Sequence, residues 1–206
     1  MKAIIYDWDG TLCDSIPASF EAMCHVFERC GKPRPTMKEF VAGMRQPPTA
    51  FYRDCGIGAD VNDEQIWKWY LEKANHHYNV LFNDVVPALM LQRKHGFKIC
   101  LVSTQRARIL EPLLEGLGCE ALFDHVLPEA DSSKTPLFIK ACHLTGTDPR
   151  STYCVGDLKS DIVQANDSGL ISVGIIRNGY DVVSVFEEAR AAFIISGLDE
   201  LNDLIL

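Results

Sequence analysis

Short apolar runs separated by amphipathic stretches set what this chain can fold into. KAIIYD (2–7), FKICLVS (97–103), ALFDHVL (121–127), TYCVGD (152–157) and LISVGII (170–176) are each brief, rich in Val, Ile or aromatic residues, and bounded by Gly, Pro or polar residues. Runs that are apolar throughout suit strands buried on both faces. Helical patterns lie between the later ones, near 105–117, 135–145 and 160–168. A weaker run, AAFII (191–195), precedes a terminal helix near 198–204. Strand following helix following strand predicts an α/β fold, a Rossmann-like core whose parallel sheet of at least five strands carries helices on both faces.

Residues 15–82 break that alternation. They show helical patterns near 16–30, 37–44, 48–55 and 63–79, separated by KPRP, RQPP and GIGAD, and no convincing strand. A gap from residue 7 to residue 97 between the first two strands is far too long for a crossover connection. The expected organisation is a catalytic core of residues 1–14 and 83–206 with a small all-helical cap of residues 15–82 inserted into it. The stretch NDVVPALMLQRKH (83–95) leads back to the sheet.

The 206 residues are 47% hydrophobic, enough for a sizeable core, and carry a formal net charge of −8. An acidic surface disfavours nucleic acid and anionic membranes as partners, and no segment reaches the length of a membrane span. A phosphate-bearing substrate would need a local cation, either a metal or a positioned lysine. The eight cysteines are scattered with no CxxC pair, which reads as free thiols in a reducing compartment, with a thiol catalyst as the lesser alternative. The apolar run at the N-terminus is too short for a signal peptide, so the expected location is cytoplasmic, as a monomer or homodimer.

Ligands bind beyond the carboxyl ends of the strands in an open parallel sheet. Beyond the first strand stands DWDGT, with Asp7 and Asp9; beyond the second, Ser103-Thr104-Gln105; after the third, Ser132-Ser133-Lys134-Thr135-Pro136; beyond the fourth, GDLKSD, with Asp157 and Asp161. Asp7, Asp9 and Asp157 brought together would repel one another, and a divalent cation removes that conflict. Hard oxygen ligands favour Mg²⁺. A carboxylate so screened can attack phosphorus, while the acid two residues on protonates the leaving oxygen and then takes a proton from water. Lys134 supplies a fixed positive charge for the phosphoryl oxygens, and Ser103 with backbone N–H groups adds hydrogen bonds.

With DWDGTLCDS (7–15), LVST (101–104), Lys134 in SSKTP and GDLKSD (156–161), the chain resembles haloacid dehalogenase superfamily phosphatases of the phosphoglycolate-phosphatase-like branch, over nearly its whole length. The resemblance implies Asp7 as nucleophile and metal ligand, and Asp9 as general acid/base with its main-chain carbonyl as a second ligand. Asp157 and Asp161 follow as the remaining metal acids, and Ser103 and Lys134 as phosphate contacts. Gly10 and Thr104 would lend backbone N–H groups. The implied activity is Mg²⁺-dependent hydrolysis of a small soluble phosphate monoester, phosphoglycolate or a sugar phosphate. Trp8, Thr104 and Asn83-Asp84-Val85-Val86 depart from the family pattern. Trp8 is expected to point away from the phosphate, towards the hinge or cap.

Other residues have blander readings. Asp14 and Ser15 read as a helix N-cap ahead of Pro17. Asp161 has a second reading as the cap of its own helix, and Lys159 reads as solvent-facing. Arg45, Gln46 and Arg53 are candidates for the substrate's remote end, against the alternative of a solvated helix face. His76 and His77 read as surface or hinge residues, and the Trp67–Trp69–Tyr70 cluster as packing within the cap. A sugar phosphomutase of the same branch would keep every core residue, and a non-catalytic phosphate-metabolite sensor or protein-binding module is the reading from a different class. A dehalogenase has no clear use for Asp9, the metal acids and Lys134.

Overall fold

The computed structural model of the chain describes residues 2–43, 49–74, 80–130, 133–177 and 183–206. It divides into two compact units, one of Met1–Cys13 with Val80–Leu206 and the other of Asp14–Asn79.

In the first unit, β1 (Ala3–Tyr6) is buried at all four positions. It pairs in parallel with β2 (Lys98–Val102) on one side and β4 (Thr152–Gly156) on the other. Outward from these lie β3 (His125–Leu127) and, on the opposite side, β5 (Ile171–Ile175) and β6 (Phe193–Ile195). All five pairings are parallel and the order is β3-β2-β1-β4-β5-β6. That is the doubly wound order, with the direction of winding reversing between β1 and β4, where such sheets form their ligand crevice.

Alternate residues of each strand pack on opposite faces, as the two-residue period of a strand requires. Ile4, Tyr6, Ile99, Leu101, Val155 and Val173 join one cluster, where α5 (Val85–Lys94), α6 (Ala107–Gly116) and α10 (Leu198–Ile205) cover the sheet. Ile5, Cys100, Val102 and Cys154 join the other, beneath α7 (Thr135–Thr145) and α8 (Lys159–Asp167). A short α9 (Val183–Glu188) packs Phe186 against Ile162. Within the first cluster a polar chain crosses the core. The Tyr6 hydroxyl donates to Gln92 Oε1 at 2.8 Å, and Gln92 Nε2 donates to Asn202 Oδ1 at 2.8 Å.

Among its described residues the second unit has helices and no strand: α1 (Ile16–Arg29), α2 (Met37–Gly43), α3 (Thr49–Asp54) and α4 (Asp63–Lys73). Ile16, Met23, Phe27, Phe40, Phe51, Tyr52 and Ile66 form its own core. Trp69 and Tyr70 pack against that core, and Trp67 lies on the rim at 42% exposure. No helix among the described residues is long and apolar enough to cross a membrane.

Several sequence expectations change in detail. The run 121–127 is a strand only from His125. Its first half is a 3-10 turn at Glu120–Leu122, stopped where Asp124 takes the Ile99 N–H at 2.9 Å and the Lys98 ammonium at 2.8 Å. The helix expected over 63–79 ends at Lys73, with Ala74 extended, and His76 and His77 lie outside the described residues. Residues 85–94, read only as a return to the sheet, form the full helix α5. Ser15 occupies the N-cap position of α1, but makes no capping bond through its side chain. Residues 80–82 belong to the sheet unit rather than the insert, because Leu81 bridges Cys13 and the Phe82 N–H reaches Leu12 O at 3.1 Å.

Candidate active site

Strand register brings the four sequence clusters together. Tyr6 is level with Leu101 in β2 and Val155 in β4, so the chain emerges at one edge through Asp7, Ser103 and Asp157. The Asp7 N–H still reaches Val155 O at 3.0 Å, so the residue is held by the end of the ladder. After Asp7 the backbone coils at once. Trp8 O accepts the N–H groups of Thr11, Leu12 and Cys13, and Gly10 takes φ 74°.

The carboxylate oxygens of Asp7, Asp157 and Asp161 lie within 4.8 Å of one another. Lys134 Nζ stands 2.7 Å from Asp7 Oδ1 and 2.7 Å from Asp161 Oδ1, with Lys134, Asp7 and Asp161 all buried. Three carboxylates against one ammonium leave an excess of negative charge in a poorly solvated place. Burial, reinforced by Asp161 and Asp9 and opposed by Lys134, pushes the Asp7 carboxyl up to about 7. Burial with Asp7 and Asp161 nearby drives Asp157 well above the usual carboxylate range. Burial alone would lower Lys134, but the two carboxylates beside it hold its ammonium above the ordinary lysine range. An all-oxygen donor set with excess negative charge fits a hard divalent cation.

Two glycines make the close approach possible. A Cβ on Gly10 would stand 2.2 Å from Asp157 Oδ2, and one on Gly156 would stand 2.4 Å from Asp161 Cβ. Of the readings given for Asp161, the helix cap is seen directly. Its Oδ1 faces Lys134 and its Oδ2 accepts the Leu158 N–H at 3.1 Å, capping α8. Thr11 Oγ1 approaches Asp157 Oδ1 at 3.4 Å.

Asp9 stands apart. Its carboxylate is outside the group of three and meets Gln105 Nε2 at 3.0 and 2.8 Å. Ser103 is buried at the end of β2, where its Oγ accepts the Gln105 N–H at 3.0 Å and donates to no acceptor among the described residues. Thr104 begins a shallow groove lined also by Arg106, Ala107, Arg108, Glu129 and Ala130.

Other expectations are corrected. The backbone N–H of Gly10 donates to Cys13 O at 2.9 Å inside the turn, so it is not available to a phosphate. The part Gly10 plays is steric. Arg53 is not free either: its guanidinium donates to Gly58 O at 2.6 Å, Ile57 O at 3.3 Å and Asp63 Oδ1 at 2.5 Å, closing the turn between α3 and α4. Arg45 and Gln46 lie outside the described residues. Trp8 is fully buried, in one cluster with Leu12 and with Val85 and Leu89 of α5, where the chain returns from the insert. Lys159 pairs with Glu188 at the surface, at 3.0 Å.

Sequence reasoning passed over three residues that hold the site. Gln105 was visible only as part of the strand-end cluster. Gln164 accepts the backbone N–H of Lys134, at 2.5 Å, and fixes the start of α7. Arg177 reaches Thr11 O at 3.1 and 3.2 Å, Asp84 Oδ2 at 2.8 Å and the face of Phe82 at 4.2 Å. A polar residue just beyond an apolar strand is the one signal that could have pointed to Arg177.

Residues 4–175 match the family model of the haloacid dehalogenase-like hydrolases. A phosphoglycolate phosphatase of Neisseria meningitidis is 26% identical over 98% of this chain and 93% of its own length. That of Pasteurella multocida is 25% identical over 99% and 98%. Among solved structures, a haloacid dehalogenase-like hydrolase from Streptococcus pneumoniae overlays with a TM-score of 0.88 at 20% identity, covering 100% of this chain and 99% of that one. A candidate beta-phosphoglucomutase from Thermotoga maritima overlays with a TM-score of 0.75 at 22% identity, covering both chains fully. With the sheet order, the carboxylates gathered at its edge and the family match over most of its length, the chain belongs to the haloacid dehalogenase-like hydrolases.

Proposed function

We propose that the protein is a Mg²⁺-dependent phosphatase that hydrolyses a small-molecule phosphate monoester through an aspartyl-phosphate on Asp7. The observation that carries this reading is the buried contact of Asp7 with Lys134 at 2.7 Å, beside Asp157 and Asp161. The phosphoglycolate phosphatase relatives support phosphoglycolate as the first substrate to try.

The carboxylates of Asp7, Asp157 and Asp161, with the main-chain carbonyl of Asp9, would hold the cation. Bound there, Mg²⁺ supplies charge neutralisation between an anionic nucleophile and an anionic ester. Asp7 attacks phosphorus in its ionised form, which the Lys134 ammonium favours. Lys134 faces the phosphoryl oxygens that gain charge, and the Ser103 hydroxyl donates to one of them. The carboxyl of Asp9 gives its proton to the departing alcohol oxygen. Water then attacks the phosphoryl group on Asp7, and Asp9 takes the water's proton, which restores both acids.

The test is phosphate release from nitrophenyl phosphate and from a panel of metabolite phosphates, with Mg²⁺ and with EDTA, for wild type and Asp7→Asn. Activity that needs both the metal and Asp7 is the expected result, with the variant down by at least about 10³-fold. Metal-independent release, or release that survives in Asp7→Asn, would overturn the reading. A sugar phosphomutase would use the same residues. Phosphorus NMR after adding a sugar bisphosphate separates the two: a phosphatase yields inorganic phosphate and a mutase an isomerised sugar phosphate.

A further inference from the structure

In the proposed reaction Asp9 must give a proton to the leaving oxygen and take one from water, so its carboxyl has to be aimed. Nothing in the Asp7, Asp157 and Asp161 group aims it, because its carboxylate stands outside that group. The one described side chain that bonds it is Gln105, whose Nε2 reaches both oxygens, at 3.0 and 2.8 Å. The two residues are 96 positions apart in sequence.

The backbone of Gln105 is itself clamped. Its N–H donates to Ser103 Oγ at 3.0 Å, and its carbonyl accepts the Glu129 N–H at 2.8 Å. Ala130 N–H donates to Ser103 O at 3.0 Å, tying the loop after β3 to the end of β2. Glu129 adopts φ 61° in that loop, and its Oε1 accepts the Ala107 N–H at 3.2 Å. The amide is thus carried on a turn knitted to the sheet edge on two sides. Among the described residues Gln105 Oε1 is buried without a partner, and the bonds its side chain makes are those to Asp9.

We propose that Gln105 is a positioning residue that fixes the carboxyl group of Asp9 for proton transfer to and from the reacting oxygens. This inference rests on the phosphatase reading above. A carboxyl at the end of a turn has several rotamers, and a bond to both of its oxygens removes that freedom before substrate arrives. A proton donor contributes about 10² to 10⁴-fold when well placed, and a small displacement forfeits much of that.

The experiment compares wild type with Gln105→Ala and Gln105→Glu. It measures KM, kcat and the rate of alcohol release in the first turnover, for nitrophenyl phosphate and for the best alkyl phosphate of the wild type. Nitrophenolate leaves without a proton, whereas an alkoxide does not. Gln105→Ala is expected to slow first-turnover alkyl alcohol release by about 10 to 100-fold, to slow nitrophenol release by less than about 3-fold and to leave KM within about 3-fold. Gln105→Glu fills the same space with an acceptor that repels Asp9, and is expected to be at least as slow as Gln105→Ala on the alkyl ester. The melting temperature of each variant is expected to stay within a few degrees of wild type, since Gln105 is only partly buried. Equal slowing of the two esters, a raised KM with kcat preserved, or no change would each overturn the proposal. If wild type itself releases no phosphate with Mg²⁺, the phosphatase reading falls and this inference with it. If wild type is active and Asp7→Asn is not, the reading stands and the Gln105 variants are judged alone.

Discussion

Gly10 shows how little room the site leaves at the scale of single residues. Its φ of 74° lies in the left-handed region, and a Cβ there would meet Asp157 Oδ2 at 2.2 Å. An alanine must therefore distort the turn that carries Asp9 or push the Asp157 carboxylate away from Asp7 and Asp161. Gly10→Ala is expected to cost about 1–2 kcal/mol in backbone strain. It should also raise the Mg²⁺ concentration for half-maximal activity by about tenfold or more. Metal titrations of phosphate release check this, and an unchanged metal requirement would mean that the turn gives way and the Asp157 carboxylate stays in place. The same scale explains Arg53. An arginine in a helical insert looks available in the sequence, yet two backbone carbonyls and Asp63 absorb its donors.

Among the elements, the interest lies in what joins β1 to its covering helices. Tyr6 in β1, Gln92 in α5 and Asn202 in α10 form one hydrogen-bonded chain inside the apolar cluster, and Gln92 is fully buried. A buried polar chain is stable only while every member is satisfied. Gln92→Leu keeps the volume but strands the Tyr6 hydroxyl and the Asn202 amide at once. The expected loss is about 2–4 kcal/mol of unfolding free energy, read from the urea midpoint, with KM unchanged. A loss below about 0.5 kcal/mol would mean that the two groups find other partners. Arg177 joins elements in the same way, linking the turn after β1 to the start of α5, and Asp84 passes the link to the Leu198 N–H at 2.8 Å.

At the scale of the whole molecule, a chain of net charge −8 gathers three carboxylates at one sheet edge. The Asp7 and Asp157 carboxyls are both raised above their usual values, chiefly by burial. A raised carboxyl favours the folded state at low pH, and that contribution is lost as pH climbs from about 4 towards and beyond about 7. A divalent cation binds the ionised forms, so its binding releases protons and stabilises the fold more at high pH. The increase in melting temperature caused by Mg²⁺ is therefore expected to be larger at pH 8 than at pH 5.5. For scale, ligand at about 100 times its Kd adds about 2.7 kcal/mol. Asp7→Asn should flatten the difference between the two pH values. Equal shifts in wild type at both would contradict the ionised cluster as the metal's ligand set.

The parallel sheet was readable from Ile4-Ile5-Tyr6, Cys100-Leu101-Val102 and Cys154-Val155, because strands buried on both faces must be apolar without alternation. The residues of the chemistry were readable for a related reason. Asp7, Ser103 and Asp157 each follow directly on such a run, and the carboxyl ends of parallel strands share one edge. The short length of β3 was not readable, since Asp124 acts through contacts with Lys98 and Ile99 that local composition does not carry. Nor were the direction of the Asp9 carboxylate, the occupied N–H of Gly10 and the capped guanidinium of Arg53. Each depends on which donor meets which acceptor once distant segments are packed. Sequence by itself determined which residue types arrive at the sheet edge, because hydrophobic period and chain order place them there. Only the tertiary structure decided which of them touch, because hydrogen bonds form or fail over a few tenths of an ångström, a distance that no pattern of residue types encodes.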